Sequence, residues 1–259
     1  MDWKIMQVVI LAGGLGTRLS ELTETIPKPM VPIGSEPVLV HIMRHYAAFG
    51  HKDFVIALGY KGHKIKEYFS NLSIYNSDIE IDFLSKDISI MRSGNLDWKV
   101  KLVDTGENTA TGGRLLALEK YLSDEFLLTY GDGVSDVNLE SLIKHHQKEK
   151  GLATVTAVRP PARFGSLVIA GSTVTEFSEK NPLHEGWING GFFCLSKKVL
   201  GYIAGSDSAL EGAPMHLLAK DGHLKAYLHE GFWHPMDTLR DKRFLDELWN
   251  KGDAPWRVD

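Results

Sequence analysis

The strongest constraint on the fold is a buried strand that breaks abruptly into glycine. Met6 to Ala12 is apolar and rich in β-branched residues, and it stops at Gly13-Gly14, with Gly16 close behind. A short, continuous apolar run bounded by glycines is what a strand covered on both faces looks like. The pattern recurs: Asp53 to Leu58 ends at Gly59, and Glu125 to Tyr130 ends at Gly131-Asp132-Gly133. Between these runs, Val38 to Phe49 and Gly62 to Leu72 carry apolar residues at helical spacing, with Gly50 closing the first. The alternation predicts an α/β chain built on a mostly parallel, Rossmann-like sheet with helices on both faces. Ligands of such sheets bind beyond the carboxyl ends of the strands, the edge where these glycine clusters fall.

The remaining segments extend that plan. Gly13 to Thr25 reads as a polar, glycine-rich loop, and Pro27 and Pro29 block helix after it. Ile79 to Phe83 alternates like a strand, residues 85 to 99 carry no clear pattern, and Val100 to Val103 is short and β-like. Thr111 to Leu122 and Leu139 to Lys148 read as helices, and Ala153 to Val158 as a strand. Leu167 to Phe177 reads as a hairpin around Gly171, and Ile188 to Leu195 as a strand. Helices are expected near 197–204 and 211–221, a strand at Leu224 to His229, and a last helix at Arg240 to Trp249. With no repeat or linker, one domain over 1–259 is expected, the part after about residue 150 elaborating the sheet.

Composition excludes several classes. A net charge of −4 lacks the basic excess of a general nucleic-acid binder. The run at Val8 to Ala12 is too short to span a bilayer, and the N-terminus lacks a secretory pattern, so no membrane partner and a cytoplasmic location are expected. The lone Cys194, between Phe193 and Leu195, reads as a small buried residue. His145-His146 reads as a solvated helix face, and Phe232-Trp233-His234 as core or subunit contact.

The first glycine loop, Leu11-Ala12-Gly13-Gly14-Leu15-Gly16-Thr17-Arg18, lets a polyphosphate approach backbone N–H groups, and Arg18 offers a planar fork of donors. A P-loop needs lysine directly after its last glycine, and here Thr17 follows Gly16. A dinucleotide fingerprint needs a third glycine where Leu19 stands. A turn without a ligand stays open on these residues alone. Asp132 reads equally as a turn residue or a ligand, Asp237 as a helix N-cap before Thr238, and Lys28 and Lys180 as surface lysines.

Leu11 to Arg18, followed by Pro27-Lys28-Pro29-Met30, Gly131-Asp132-Gly133, Glu179-Lys180, Asn189-Gly190-Gly191 and Asp237, resembles the signature of the sugar nucleotidylyltransferases along almost the whole chain. Asp104-Thr105-Gly106, Thr111-Gly112-Gly113-Arg114, Thr129 to Gly133, Ile188 to Phe193, Phe232 to Thr238 and Ala254-Pro255-Trp256 resemble the branch that acts on glucose 1-phosphate and CTP. The resemblance implies the nucleotide-diphospho-sugar transferase fold and transfer of a cytidylyl group from CTP to α-D-glucose 1-phosphate. The products are CDP-glucose, for dideoxy sugars of surface polysaccharide, and pyrophosphate. It implies Mg2+ held by Asp132 and Asp237, and a homo-oligomer, a trimer or hexamer. Another nucleotide, such as dTTP or UTP, another sugar phosphate, and a catalytically silent homologue that binds sugar nucleotides are the alternatives. Two departures stand out: Ile26 replaces a second family lysine, and 84–99 matches poorly.

By the same resemblance, Arg18, Lys28, Asp132 and Lys180 are the expected catalytic residues. The nucleotide is expected on Leu11, Ala12, Gly13, Gly14, Gly16, Thr17, Arg18, Thr109, Thr111, Arg114 and Gly131, with Thr109, Thr111 and Arg114 selecting the base. The sugar phosphate is expected on Lys28, Gly165, Glu179, Lys180, Asn189 and Gly190. Chemically the task is electrostatic, because two polyanions must be held together and in line.

Overall fold

The computed structural model describes residues 5–92, 96–160, 166–170, 172–178 and 186–258. In chain order the elements are β1 (Gln7–Ala12), α1 (Ser20–Thr23), β2 (Pro32–Ile33), β3 (Glu36–Pro37), α2 (Val38–Ala48), β4 (Asp53–Leu58), α3 (Gly62–Tyr75), β5 (Asp78–Asp82), β6 (Asp87–Arg92) and β7 (Lys99–Asp104). There follow α4 (Thr111–Ala117), β8 (Glu125–Tyr130), β9 (Gly133–Ser135), α5 (Leu139–Glu149), β10 (Ala153–Val158), β11 (Ser166–Ala170), β12 (Thr173–Ser178), β13 (Ile188–Ser196), α6 (Ala213–Lys220), β14 (Leu224–His229), β15 (Trp233–Pro235) and α7 (Leu239–Lys251).

Seven strands form one mixed sheet in the order β14-β10-β13-β8-β1-β4-β7. All neighbours are parallel except β13, which runs antiparallel to both β10 and β8. The alternation of side chains along each strand divides the core in two. Val8, Ile10 and Ala12 of β1, with Phe54 and Ile56 of β4, pack on one face against α2, α5 and α7. Val9 and Leu11, with Val55 and Ala57, pack on the other against Leu115, Leu118 and Leu218. Both faces of β1 are therefore covered, which is why the strand has no polar alternation.

From β1 the chain steps one way to β4 and β7, then crosses to β8 on the other side of β1. That reversal opens a crevice beyond the ends of β1 and β8. The first loop differs from expectation. Thr17–Leu19 is a turn of 3-10 helix leading into α1, where Thr23 Oγ1 bonds to the carbonyls of Gly16 and Leu19 at 3.1 Å each. Lys28–Met30 is a further 3-10 turn, started by Pro27, so the prolines shape one turn of helix there. The helix expected through Leu122 ends at Ala117, and Tyr121 N bonds to Leu118 O at 2.8 Å in 3-10 spacing. Residues 87–92, unassigned from sequence, pair with β5 as a hairpin. The hairpin β11–β12 brackets Gly171, which lies outside the described residues.

Cys194 is buried, as expected. His146 corrects the solvated-face reading: it is buried, and its Nδ1 lies 2.8 Å from Thr154 Oγ1, while His145 meets the Tyr227 ring. Among the described residues no helix is long and apolar enough to cross a membrane.

Candidate active site

A cleft of about 390 Å³ lies at the crevice. It is lined by the first glycine loop, by Lys28 and Pro29, by Thr109 to Thr111 with Arg114, and by Tyr130, Gly131 and Asp132. Leu11, Ala12, Gly13, Gly14, Gly16 and Thr17 are thus all brought to one wall. Gly14 is open to solvent, whereas Gly16 has φ +65°, and a Cβ there would stand 3.1 Å from Lys28 Cβ. Glycine at 16 is demanded by the turn and by Lys28's approach. The Arg18 side chain lies outside the described residues, although its backbone belongs to the 3-10 turn.

Lys28 is the centre of the site. Its ammonium donates to Asp132 Oδ2 and to Asp237 Oδ1, each at 2.6 Å. Burial opposes the charged form, but the two carboxylates outweigh it and raise the lysine pKa above its ordinary value. Residues 28, 132 and 237 are brought together by local pairing. Gly131 N bonds to Leu11 O at 3.1 Å, setting Asp132 at the end of β1. The short strand β15 pairs with β9, and Met236 N bonds to Asp132 O at 2.8 Å. One small ladder therefore carries both aspartates.

Asp237 is not the cap of α7. Thr238 is, in a capping box with Asp241. Asp241 Oδ2 accepts from the backbone N of Asp237 at 3.2 Å and of Thr238 at 2.9 Å. The buried Asp241 thus orients Asp237 from the rear, a role that the spacing Thr238 to Asp241 signalled only as helix chemistry.

Two carboxylates meeting one cation, all with oxygen donors, suit a hard divalent ion such as magnesium, which takes one or two carboxylates and fills its octahedron with water and phosphate. Here the cation between the two carboxylates is the Lys28 ammonium. Among the described residues no set of three or more His, Cys, Asp or Glu could hold a metal.

The Thr111-Gly112-Gly113-Arg114 segment departs from a simple base-reading motif. Arg114 is buried, and Nη1 donates to Leu58 O, Thr105 Oγ1 and Gly106 O at 3.1, 2.8 and 2.6 Å. Nη2 donates to Gly13 O and Glu107 O, each at 3.0 Å. The guanidinium is a clasp that ties the ends of β1, β4 and β7 together. Its forked terminal donors, expected to read a base, are occupied by the protein. A Cβ on Gly13 would lie 2.3 Å from that guanidinium, so the clasp explains this glycine. Gly112 and Gly113 face away from the cleft. Cβ atoms there would meet Ser208 O at 2.6 Å and Ser206 O at 2.1 Å, so these glycines let α4 seat on the 206–210 loop. Thr109 Oγ1 bonds to Thr105 O at 2.6 Å.

A smaller hollow adjoins the cleft, lined by Tyr130, Asp132, Asn189, Gly190, Trp233 and their neighbours. Asn189 reaches it, whereas the Gly190 carbonyl already accepts from Trp233 Nε1 at 2.6 Å. Gly165, Glu179 and Lys180 lie outside the described residues. The sequence reading missed Tyr130 and Glu211. Tyr130 Oη donates to Glu211 Oε1, Thr111 Oγ1 donates to Glu211 Oε2 at 2.6 Å, and Asn189 Nδ2 donates to Tyr130 Oη at 3.3 Å. Nothing local marks Glu211, which is 100 residues from Thr111 and exposed. Ile26 packs at the edge of the core.

Comparison with known proteins identifies the family. The nucleotidyl transferase family profile matches residues 7–234. The chain is 48% identical over 255 residues to glucose-1-phosphate cytidylyltransferase of Salmonella typhimurium, covering 98% of this chain and 99% of that protein. It is 42% identical to a probable glucose-1-phosphate cytidylyltransferase of Bacillus subtilis, covering 98% and 100%. Among solved structures, HddC from Yersinia pseudotuberculosis complexed with GMP-PN superposes with a TM-score of 0.68 at 25% identity, covering 94% of this chain and 99% of that one.

Proposed function

The chain belongs to the nucleotidyl transferase family, and from that premise we infer that its cleft joins a nucleoside triphosphate to a sugar phosphate. The enzyme transfers a cytidylyl group from CTP to α-D-glucose 1-phosphate, giving CDP-glucose and pyrophosphate. The observation that carries the chemical assignment is the meeting of Lys28, Asp132 and Asp237 at the mouth of a glycine-lined cleft.

An oxygen of the sugar phosphate attacks the α-phosphorus while the bond from that phosphorus to the β-phosphate oxygen breaks. The electron pair leaves with pyrophosphate. With a second pKa of about 6, the attacking phosphate is already ionised and needs no general base. Asp132 and Asp237 would hold magnesium, which would supply neutralisation of the polyanionic charge. Lys28 exchanges its carboxylate partners for oxygens of the α-phosphate or the sugar phosphate. Arg18 holds the β- and γ-phosphates, and the backbone of Gly13 to Thr17 approaches them closely. Lys180 meets the sugar phosphate, and Glu179, Asn189, Gly165 and Gly190 meet the hexose.

Cytosine presents O2 and N3 as acceptors and its exocyclic amine as a donor. Arg114 supports base binding chiefly by holding the Gly13 and Glu107 carbonyls in place. Its Nε–H is the guanidinium donor without a partner among the described residues. Thr109 and Thr111 complete that wall.

The enzyme acts in the cytoplasm as a homo-oligomer, a trimer or hexamer, and its product feeds dideoxy-sugar synthesis for surface polysaccharide. Support for self-association is the β5–β6 hairpin, where Phe83 is 87% and Leu84 94% exposed beside Ile88 and Met91. Sedimentation of the purified chain reads that state directly.

The testing experiment is pyrophosphate release with magnesium, crossing CTP, UTP, dTTP, ATP and GTP with glucose, mannose, galactose and fucose 1-phosphates. Turnover confined to CTP with glucose 1-phosphate is expected. Turnover with another pair would move the substrate, and none at all would point to a silent homologue. Asp132→Asn and Asp237→Asn are each expected to abolish turnover with the fold intact; near-normal rates would remove both from the metal site.

A further inference from the structure

Tyr130 stands between the two hollows, lining both the nucleotide cleft and the smaller pocket toward Asn189. Its ring is fixed. It meets Phe193 edge to face at 6.0 Å, and a Cβ on Gly191, which has φ +80°, would lie 2.7 Å from Tyr130 Cδ2. Only the direction of its hydroxyl hydrogen is adjustable, and Glu211 accepts the hydrogen bond from it. The other oxygen of the same carboxylate accepts from Thr111 Oγ1, at 2.6 Å. Thr111 Oγ1 also accepts from Leu210 N at 2.8 Å, which fixes the hydroxyl from behind.

A hydroxyl has one proton and two acceptor sites. With both protons committed to Glu211, each oxygen can face a substrate only as an acceptor. One site on Tyr130 Oη is used by Asn189 and one on Thr111 Oγ1 by Leu210 N, which leaves one on each. Burial, reinforced by Glu211, raises the Tyr130 pKa well above the ordinary range, so the phenol keeps its proton. We propose that Glu211 is a positioning residue for both substrates, turning Tyr130 and Thr111 into fixed acceptors for substrate O–H or N–H donors. The ligand groups that fit are hydroxyls of the hexose or ribose, or the amine of the base; phosphate oxygens, which only accept, do not. This rests on the reaction proposed above and adds a residue that does not itself touch the reacting atoms.

The test compares wild type with Glu211→Gln, Glu211→Ala and Tyr130→Phe, using CTP, 2′-deoxy-CTP and UTP against glucose 1-phosphate and 2-deoxyglucose 1-phosphate. Wild-type turnover of CTP with glucose 1-phosphate is measured first, so failure there strikes the reaction and not Glu211. Gln keeps the size of the side chain but must donate to one hydroxyl, which turns that proton toward the substrate. KM is expected to rise about 10- to 100-fold with kcat less affected, the scale of one or two hydrogen bonds. The preference for at least one natural substrate over its analogue should shrink in both Glu211 variants, with melting temperature unchanged. Which analogue gains identifies the donor: 2′-deoxy-CTP the ribose, UTP the base amine, the deoxyhexose phosphate the sugar. Tyr130→Phe combined with Glu211→Ala should cost less than the two separate losses added. Unchanged KM and unchanged discrimination in Glu211→Gln, or strict additivity of the pair, would overturn the proposal.

Discussion

Replacing Lys28 with methionine removes the cation from between Asp132 and Asp237 while keeping most of the apolar stem. Breaking a buried ion pair from one side costs about 3–5 kcal/mol, because the remaining charge is left without a partner. Side-chain exposure is 11% for Lys28 and 14% for Asp237, but 34% for Asp132, so water screens the second arm. An expected loss of about 3 kcal/mol follows. In a chain of this length that lowers Tm by about 6–12 °C. The measurement is calorimetry at pH 8, in EDTA and then in magnesium without nucleotide. Magnesium should restore most of the loss in the variant, since a ligand at about 100 times its Kd adds about 2.7 kcal/mol. Wild type should gain less, because there the ion must displace the ammonium that donates to both aspartates at 2.6 Å. Turnover of the variant should fall about 100-fold or more, the scale of losing one charge-stabilising donor. Equal magnesium shifts in the two proteins, or a variant as stable as wild type in EDTA, would refute the shared seat.

Arg114→Met should lower stability by about 1–3 kcal/mol and raise the KM for CTP, since the charged donor to Gly106 O and Glu107 O is lost and the Gly13 and Leu58 carbonyls keep only donors from Tyr60 and Thr105; a normal urea midpoint would contradict the clasp. Gly113→Ala places a Cβ 2.1 Å from Ser206 O, so α4 must lift from its seat. A loss of about 1–3 kcal/mol is expected by thermal melting, with none expected if the loop simply yields. His45 is buried against the Val137 carbonyl at 2.9 Å, and burial lowers its pKa to about 4 from 6.5. Between those values the unfolded chain binds a proton that the folded chain does not, so stability falls as pH drops through this window, by roughly 3 kcal/mol from this residue. His41, His51 and His146, also lowered by burial, act in the same direction. Urea midpoints at pH 7 and 5 measure the effect, and His45→Gln should flatten it.

Much of the fold was legible because burial on both faces leaves a plain mark. The strands Asp53–Leu58, Glu125–Tyr130, Ala153–Val158 and Leu224–His229 lie where the apolar runs put them. The errors lie where tertiary contact overrides local pattern. His146 looks solvated beside lysines but turns inward to Thr154. The Gly112-Gly113 pair, placed near the start of a helix by the sequence, serves the packing of that helix against residues 206–210. Arg114 looks like a donor for a base, yet five acceptors of the protein surround its terminal nitrogens. Trp233–Pro235 is too short a strand to read, although it is the rung that aligns Asp132 with Asp237.

Sequence alone determined the doubly covered sheet, the glycine edge and the family, because strand periodicity, glycine turns and a long ordered motif are all local or collinear properties. It also named Lys28, Asp132 and Asp237 through that motif, but not that they meet. Their meeting, the Arg114 clasp and the Glu211 bridge join residues 104, 209, 101 and 81 positions apart. Only the tertiary structure decided these, because a hydrogen bond depends on where the sheet order brings two strand ends, and chain spacing carries no record of that distance.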